Sequence, residues 1–365
     1  GCAIESDVTN RVIAVTYHNR ISRLMNQHCV ECHRDGGVAP FELTSYDDVV
    51  AHGPMIKFVV ERGIMPPWFA AKAKGHDSSP WLNDRSLGDS EKQDLLAWLG
   101  SGTPEGDKKN AAETRRFAEG WMIGKPDAIF EMPTPLPIQA SGVMPYQHVT
   151  VNTDFKEDKW VQAIEVQPGN REVVHHILVF DEVPGQEDRF RGGVNGFFGA
   201  YVPGNGTLVY PDGFARRLPK GVQLKFQLHY TPVGRATEDQ SRIGLVFAPS
   251  APKHEVHVAG LVNTEFNIPP FAANYKDSAQ RKLPEDIQVL SLLPHMHLRG
   301  KACRYELIDP EGSNTILLDV PRYDFNWQLP YRYAQPKLLR KGSTLKFTAW
   351  FDNSEQNPAN PDPSK

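Results

Sequence analysis

The chain has 365 residues, 40% hydrophobic and 23% charged, an ordinary balance for a folded protein long enough for two or three domains of about 150 residues each. Its formal net charge of −4 leaves no basic footprint, which excludes nucleic acid from the expected partners. No apolar run reaches the ~18 residues that a membrane span needs, so no transmembrane helix is expected.

The chain opens at Gly1-Cys2-Ala3 with no signal peptide before it. Gly-Cys-Ala resembles the end of a bacterial lipoprotein signal, which would make Cys2 a lipid anchor; a cloning remnant would look the same. Ile21, Leu24, Met25 and His28 then fall at helical spacing and predict a helix that delivers Cys29. Cys29-Val30-Glu31-Cys32-His33 follows at once. Two thiols in such a run can form thioethers with the vinyl groups of a haem, and the next histidine is then held under the iron as an axial ligand. A thioredoxin-like pair or half of a zinc site does not call for that histidine, and no second C-x-x-C exists to complete a zinc set.

A sixth ligand is expected in Arg62-Gly63-Ile64-Met65-Pro66-Pro67-Trp68. The two prolines remove backbone donors and fix φ, which places Met65 on a stiff, non-helical loop suited to presenting its sulfur. Methionine opposite histidine raises the haem potential. The competing reading makes Met65 a core filler; Met55, its rival as ligand, follows Pro54 in a helical pattern and reads as core. Ser90-Glu91-Lys92-Gln93 predicts a capping box opening a helix with Leu95, Leu96, Trp98 and Leu99, which Gly100 ends. By spacing and local motifs, residues 12 to 102 resemble class I cytochromes c. That resemblance implies a small helical domain, residues 1–102, with one covalent haem c on Cys29 and Cys32, ligated by His33 and Met65. It also implies a periplasmic or extracytoplasmic bacterial location, where haem attachment is completed.

Thr103 to Gly120 is polar, and residues 103–118 read as a linker. Beyond it, short β-branched and aromatic runs alternate with Gly, Pro, Asn and Asp: His148–Val151, Val173–Phe180, Val222–Tyr230, His254–Val262, Ile287–Leu293 and Ser343–Phe351. Such strands predict two β-sandwich domains, 119–250 and 251–365, meeting where Ala248-Pro249-Ser250-Ala251-Pro252 breaks the pattern.

Within these strands the histidines stand out. His295 and His297, two apart, share a face if the segment is a strand, with Met296 opposite. Adjacent His175 and His176 would point to opposite faces of a regular strand, so joint ligation needs a strand end, a twist or a bulge. His229 could add a third nitrogen from a neighbouring strand. Imidazole suits copper, zinc, iron and nickel, so the pattern implies metal without naming it. His254 and His257 read as structural or exposed, as do His18, His28, His52, His76 and His148. Arg216-Arg217 and Tyr210 read as surface charge and packing, with the lining of a cleft as the alternative.

Val173-Val174-His175-His176-Ile177-Leu178-Val179-Phe180, Gln227-Leu228-His229-Tyr230 and Leu293-Pro294-His295-Met296-His297-Leu298-Arg299-Gly300-Lys301 resemble the copper motifs of the type II ascorbate-dependent monooxygenases, the family of peptidylglycine α-hydroxylating and dopamine β-monooxygenases. The resemblance spans about residues 119 to 365. It implies two jelly-roll domains, each with one copper: an electron-transfer copper on His175, His176 and His229, and an oxygen-binding copper on His295 and His297. The implied fold is multidomain α plus all-β, a cytochrome c domain before two jelly-roll-like sandwiches. The implied reaction is hydroxylation of a C–H bond of a small-molecule or peptide-like substrate by molecular oxygen, with electrons from an external donor; the fusion to a haem domain adds the expectation that the haem is their inlet or relay. One departure stands against the family pattern, because its oxygen-binding copper takes a downstream methionine and Met296 is the last methionine here. Either this second copper site has lost its methionine or a segment beyond Lys365 carries it, and the latter is expected. The alternatives are a periplasmic haem and copper protein for electron transfer or metal handling, without hydroxylase activity, and a metal-free scaffold.

Overall fold

The computed structural model describes residues 14–72, 79–185, 196–263 and 265–365; Cys2 and His76 lie outside them. Of the described residues, those within Gly1–Pro67 and Arg85–Arg116 form one compact unit, and those within Trp68–Asp84 and Phe117–Lys365 form a second. Among the described residues no helix is long and apolar enough to cross a membrane.

The first unit is helical. Thr16 opens it with a reciprocal cap: the Asn19 N–H donates to Thr16 Oγ1 at 3.3 Å and the Thr16 N–H donates to Asn19 Oδ1 at 2.8 Å. The helical run then comprises π-turns Tyr17–Ile21 and Met25–Cys29 around the α-turn Ser22–Leu24. Ile21, Leu24 and Met25 are buried, the face expected from their spacing. Helices Tyr46–Ala51, Gly53–Glu61 and Asp89–Gly100 follow. The last starts after Gly88, whose N–H donates to Glu91 Oε2 at 2.8 Å, so the cap lies two residues before the expected Ser90. Arg20 Nε donates to Asp94 Oδ2 at 2.9 Å and joins this helix to the first.

Two boundaries differ from expectation. The stretch read as a linker packs on the first helix, where the Tyr17 and His18 N–H groups donate to the carbonyls of Pro104 and Glu105 at 2.9 and 3.0 Å, and Asn26 Nδ2 reaches the Glu113 carbonyl at 3.0 Å. Residues 68–84, expected within the helical domain, belong to the second unit. Phe69 and Trp81 are buried in its core, and Leu82 N–H and Ala334 N–H pair with the carbonyls of Arg332 and Pro80 at 2.7 and 2.9 Å. Apolar burial and ladder bonding outweigh their place in the sequence.

The second unit is mainly β. Its first part has one sheet in the order Ala128–Glu131, Arg242–Phe247, Lys159–Gln167, Phe214–Leu218, His254–Glu255, and another in the order Gln147–Asn152, Gln223–Tyr230, Val174–Glu182, Gly199–Tyr201. Ile164, Val166, Ile243 and Leu245 of the first share a core with Ile177, Val179, Phe226 and Leu228 of the second. The alternation of Gln223–Tyr230, with Leu224, Phe226, Leu228 and Tyr230 all buried, is the period-2 pattern of a strand facing a core on one side. The later part has a sheet in the order Tyr275–Lys282, Thr344–Phe351, Gly300–Ile308, Asn314–Val320, and a ribbon of Ile287–Leu292 with Tyr331–Leu339; Leu318, Val320, Tyr331 and Leu339 are buried in its core. The strand expected over His254–Val262 stops at Glu255.

Candidate functional site

In the first unit, the segment Cys29 to His33 leaves the helix in a tight turn, with Cys32 and His33 N–H both donating to the Cys29 carbonyl, at 3.1 and 3.0 Å. Gly37 closes over it, because a Cβ there would run into the Cys32 carbonyl oxygen. His33 Nδ1 lies 3.1 Å from the Phe41 carbonyl, a contact that only a protonated Nδ1 satisfies. The ring therefore keeps its lone pair on Nε2, the arrangement a metal-ligating histidine needs. Burial pushes the Cys29 thiol up to about 12, with Cys32 adding to the effect. Met65 is half-buried just past helix Gly53–Glu61, which Gly63 terminates at φ 61°. Met55 differs from its reading as core: it is 55% exposed.

In the second unit, His175, His176 and His229 offer ligand atoms that all lie within 4.8 Å of one another. The geometry comes from the ladder. Val174 faces Tyr230 and His176 faces His229, and the register slips between Val174 and His176, leaving His175 as the extra residue of a bulge. This is the irregularity that adjacent histidines need in order to converge. The Nδ1 atoms of His175 and His176 stand 3.1 Å apart, and His229 Nδ1 is buried without a protein partner, so the three rings together could hold a cation.

Burial, with contributions from His175, His229, His295 and His297, pushes His176 down to about 3. Burial also lowers His175 and His229. All three rings are thus neutral near pH 7, the form that ligates metal. Between pH 6.5 and about 3 the unfolded chain binds a proton at His176 that the folded chain does not. The stabilisation is therefore complete above pH 6.5 and is lost as pH falls towards 3. The urea midpoint of the metal-free protein is expected to fall from pH 7 to pH 4, less steeply in His176→Gln; equal slopes would refute this assignment.

His295 and His297 do not sit on a strand. They occupy the extended loop between Ile287–Leu292 and Gly300–Ile308, with ring centroids 5.1 Å apart. The side chains still alternate, since Met296 is buried in the core while both histidines are exposed. A loop can hold this shape because residues 321–330 brace it. Tyr323 Oη accepts from the Met296 N–H at 3.1 Å and donates to the Met296 carbonyl at 2.8 Å, and Gln328 Oε1 lies 2.7 Å from His295 Nδ1. Phe325 stacks on His175 at 5.6 Å and meets His297 edge-on at 6.3 Å, so one ring touches both histidine sets. Tyr323→Phe strips two buried backbone groups of their partner and should cost about 1–3 kcal/mol; a denaturation midpoint equal to wild type would show that the brace is dispensable.

Among the described residues no third His, Cys, Asp or Glu joins His295 and His297. Sequence reasoning passed over Phe325, Tyr323, Gln328 and Tyr146, the last 4.9 Å from the His229 ring. The other histidines lie elsewhere: His18 against Glu105 at 3.2 Å, His28 against Glu91 at 3.3 Å, His52 stacked on Phe41 at 4.0 Å, His254 on Phe214 at 4.6 Å, and His148 beside Gln227 at 3.2 Å. His257 lies 3.9 Å from Glu255. Arg216 is buried and paired with Asp181 at 3.1 Å, and Tyr210 is buried in the core of the first part.

No family model matches the chain. Among solved structures it is similar to the major capsid protein P2 of bacteriophage PM2, at 7% identity over 61% of this chain and 96% of that one, with a TM-score of 0.22. A putative α-L-fucosidase from Bacteroides ovatus matches at 8% identity over 74% of this chain and 40% of that one, with a TM-score of 0.18. The Sulfolobus turreted icosahedral virus structure matches at 9% identity over 65% and 96%, with a TM-score of 0.16. Scores this low carry neither fold nor function to this chain.

Proposed function

We propose that the protein is a haem-linked copper monooxygenase that hydroxylates a C–H bond with molecular oxygen, its helical unit acting as a cytochrome c-type electron inlet and its β unit as two jelly-roll-like copper domains. The observation that carries this reading is the pairing of a bulge-assembled triad of neutral imidazoles with a second histidine pair across the single ring of Phe325. His175, His176 and His229 would hold one copper and His295 and His297 the other, where the metal would supply one-electron chemistry and dioxygen binding. Cys29 and Cys32 would carry the haem, with His33 through Nε2 and Met65 through its sulfur as the residues that would hold the iron.

The balance requires two electrons and two protons from outside for each dioxygen, one oxygen atom entering the new C–O–H group and the other leaving as water. The protein's part is to keep the imidazoles neutral and the two sets close. The test is copper per covalent haem after anaerobic loading, followed by oxygen uptake with candidate substrates. Two coppers and uptake in proportion to hydroxylated product support the enzyme. Failure of reduced haem to pass electrons to copper in stopped-flow spectra would remove the inlet role.

A second reading follows from the two-ligand set at His295 and His297: a periplasmic electron-transfer or metal-handling protein. It predicts about one tightly held copper and oxygen reduced to peroxide without product.

A further inference from the structure

Gln328 follows His295 by 33 residues and is buried, with 9% of its surface exposed. Its Oε1 lies 2.7 Å from His295 Nδ1, while its Nε2 is buried without a hydrogen-bond partner. A carboxamide can meet a ring nitrogen with its oxygen or, turned over, with its nitrogen. With oxygen inward, Nδ1 carries the ring proton and Nε2 keeps the lone pair. Turned over, the proton moves to Nε2 and that atom is closed to any cation.

A buried amide nitrogen without a partner is a cost that an apolar side chain of similar volume would avoid. The backbone around Gln328 is held on both sides, by Trp327 N–H on the Asp324 carbonyl and Leu329 N–H on the Trp327 carbonyl, each at 3.0 Å. The side chain is thus kept where its acceptor meets the histidine.

We propose that Gln328 is a positioning residue that fixes His295 as the Nδ1–H tautomer and so leaves Nε2 open to a metal. The proposal rests on reading His295 as a ligand, and its first test needs no copper. In the haem-loaded, reduced, copper-free protein labelled with 15N-histidine, His295 should show a protonated Nδ1 and an unprotonated Nε2, assigned by loss of its signals in His295→Ala. Gln328→Leu should shift it towards the Nε2–H form, and Gln328→Glu, which keeps the acceptor, should restore the wild-type pattern. A wild-type His295 protonated on Nε2, or a Leu variant with an unchanged tautomer, overturns the proposal. Copper titration then separates the two ideas: copper at this pair should weaken by about 10–100-fold in the Leu variant, recover in the Glu variant, and leave the triad's copper unchanged. The expected tautomer with no copper at the pair in any form would sink the two-copper reading while leaving Gln328 in its role.

Discussion

His176→Ala is expected to remove one copper equivalent and to abolish product-coupled oxygen uptake. His176 stands opposite His229 in the ladder, and its Nδ1 is 3.1 Å from that of His175, so its loss leaves two imidazoles where three converged. Outer-shell changes cost metal sites about 10–100-fold in affinity, and removal of a ligand should exceed the upper end of that range. His229→Ala should behave alike. His254→Ala, whose ring stacks on Phe214, serves as the control and should keep full copper. Competition titration with a Cu(I) chelator decides the matter, and a His176→Ala protein with its full copper complement would defeat the triad assignment.

The second large effect is expected at Cys29 and Cys32. Replacing both by serine should leave no haem on the chain after denaturing electrophoresis, whereas the wild-type band should stain for haem. His33 has its Nδ1 committed to the Phe41 carbonyl, so His33→Ala should lose the axial nitrogen and change the Soret and visible bands even with the thioethers intact. Met65→His should lower the potential, within the ~0.8 V that axial ligands span, and Met55→Ala, altering an exposed side chain, should not. Identical potentials for Met65→His and wild type would displace Met65 as the sixth ligand.

What could be read in advance was what is contiguous in the chain. The C-x-x-C-H run, the adjacent histidines and the His-x-His pair are each complete within a few residues, and the strand that carries His229 is marked by its alternation from Gln223 to Tyr230. The need for some irregularity at His175 and His176, a strand end, a twist or a bulge, is legible too, since neighbouring side chains on a straight strand diverge; that it is a bulge comes from the ladder. The bracing loop is not legible, because Tyr323 and Gln328 act on residues 27 and 33 positions away, Phe325 reaches as far as His175, and none follows a local period. Residues 68–84 misled for a related reason: Phe69 and Trp81 join a core built mostly from residues beyond 283, a partnership no sequence window contains. His295 and His297 alternate with Met296 as they would on a strand, because alternation reads the same in an extended loop, where Tyr323 supplies the bonds that a neighbouring strand would otherwise give.

The slip at His175 also bears on how such a site tolerates insertion and deletion. In an ordinary paired strand, losing one residue turns every later side chain to the wrong face, and the core suffers. Deleting His175 would do the reverse, because it would close the register break and return an unbroken ladder with the hydrophobic face of Ile177 and Val179 still inward. The more regular sheet would be the one without a triad. Length variation at this single position would therefore separate chains able to ligate from chains able only to fold.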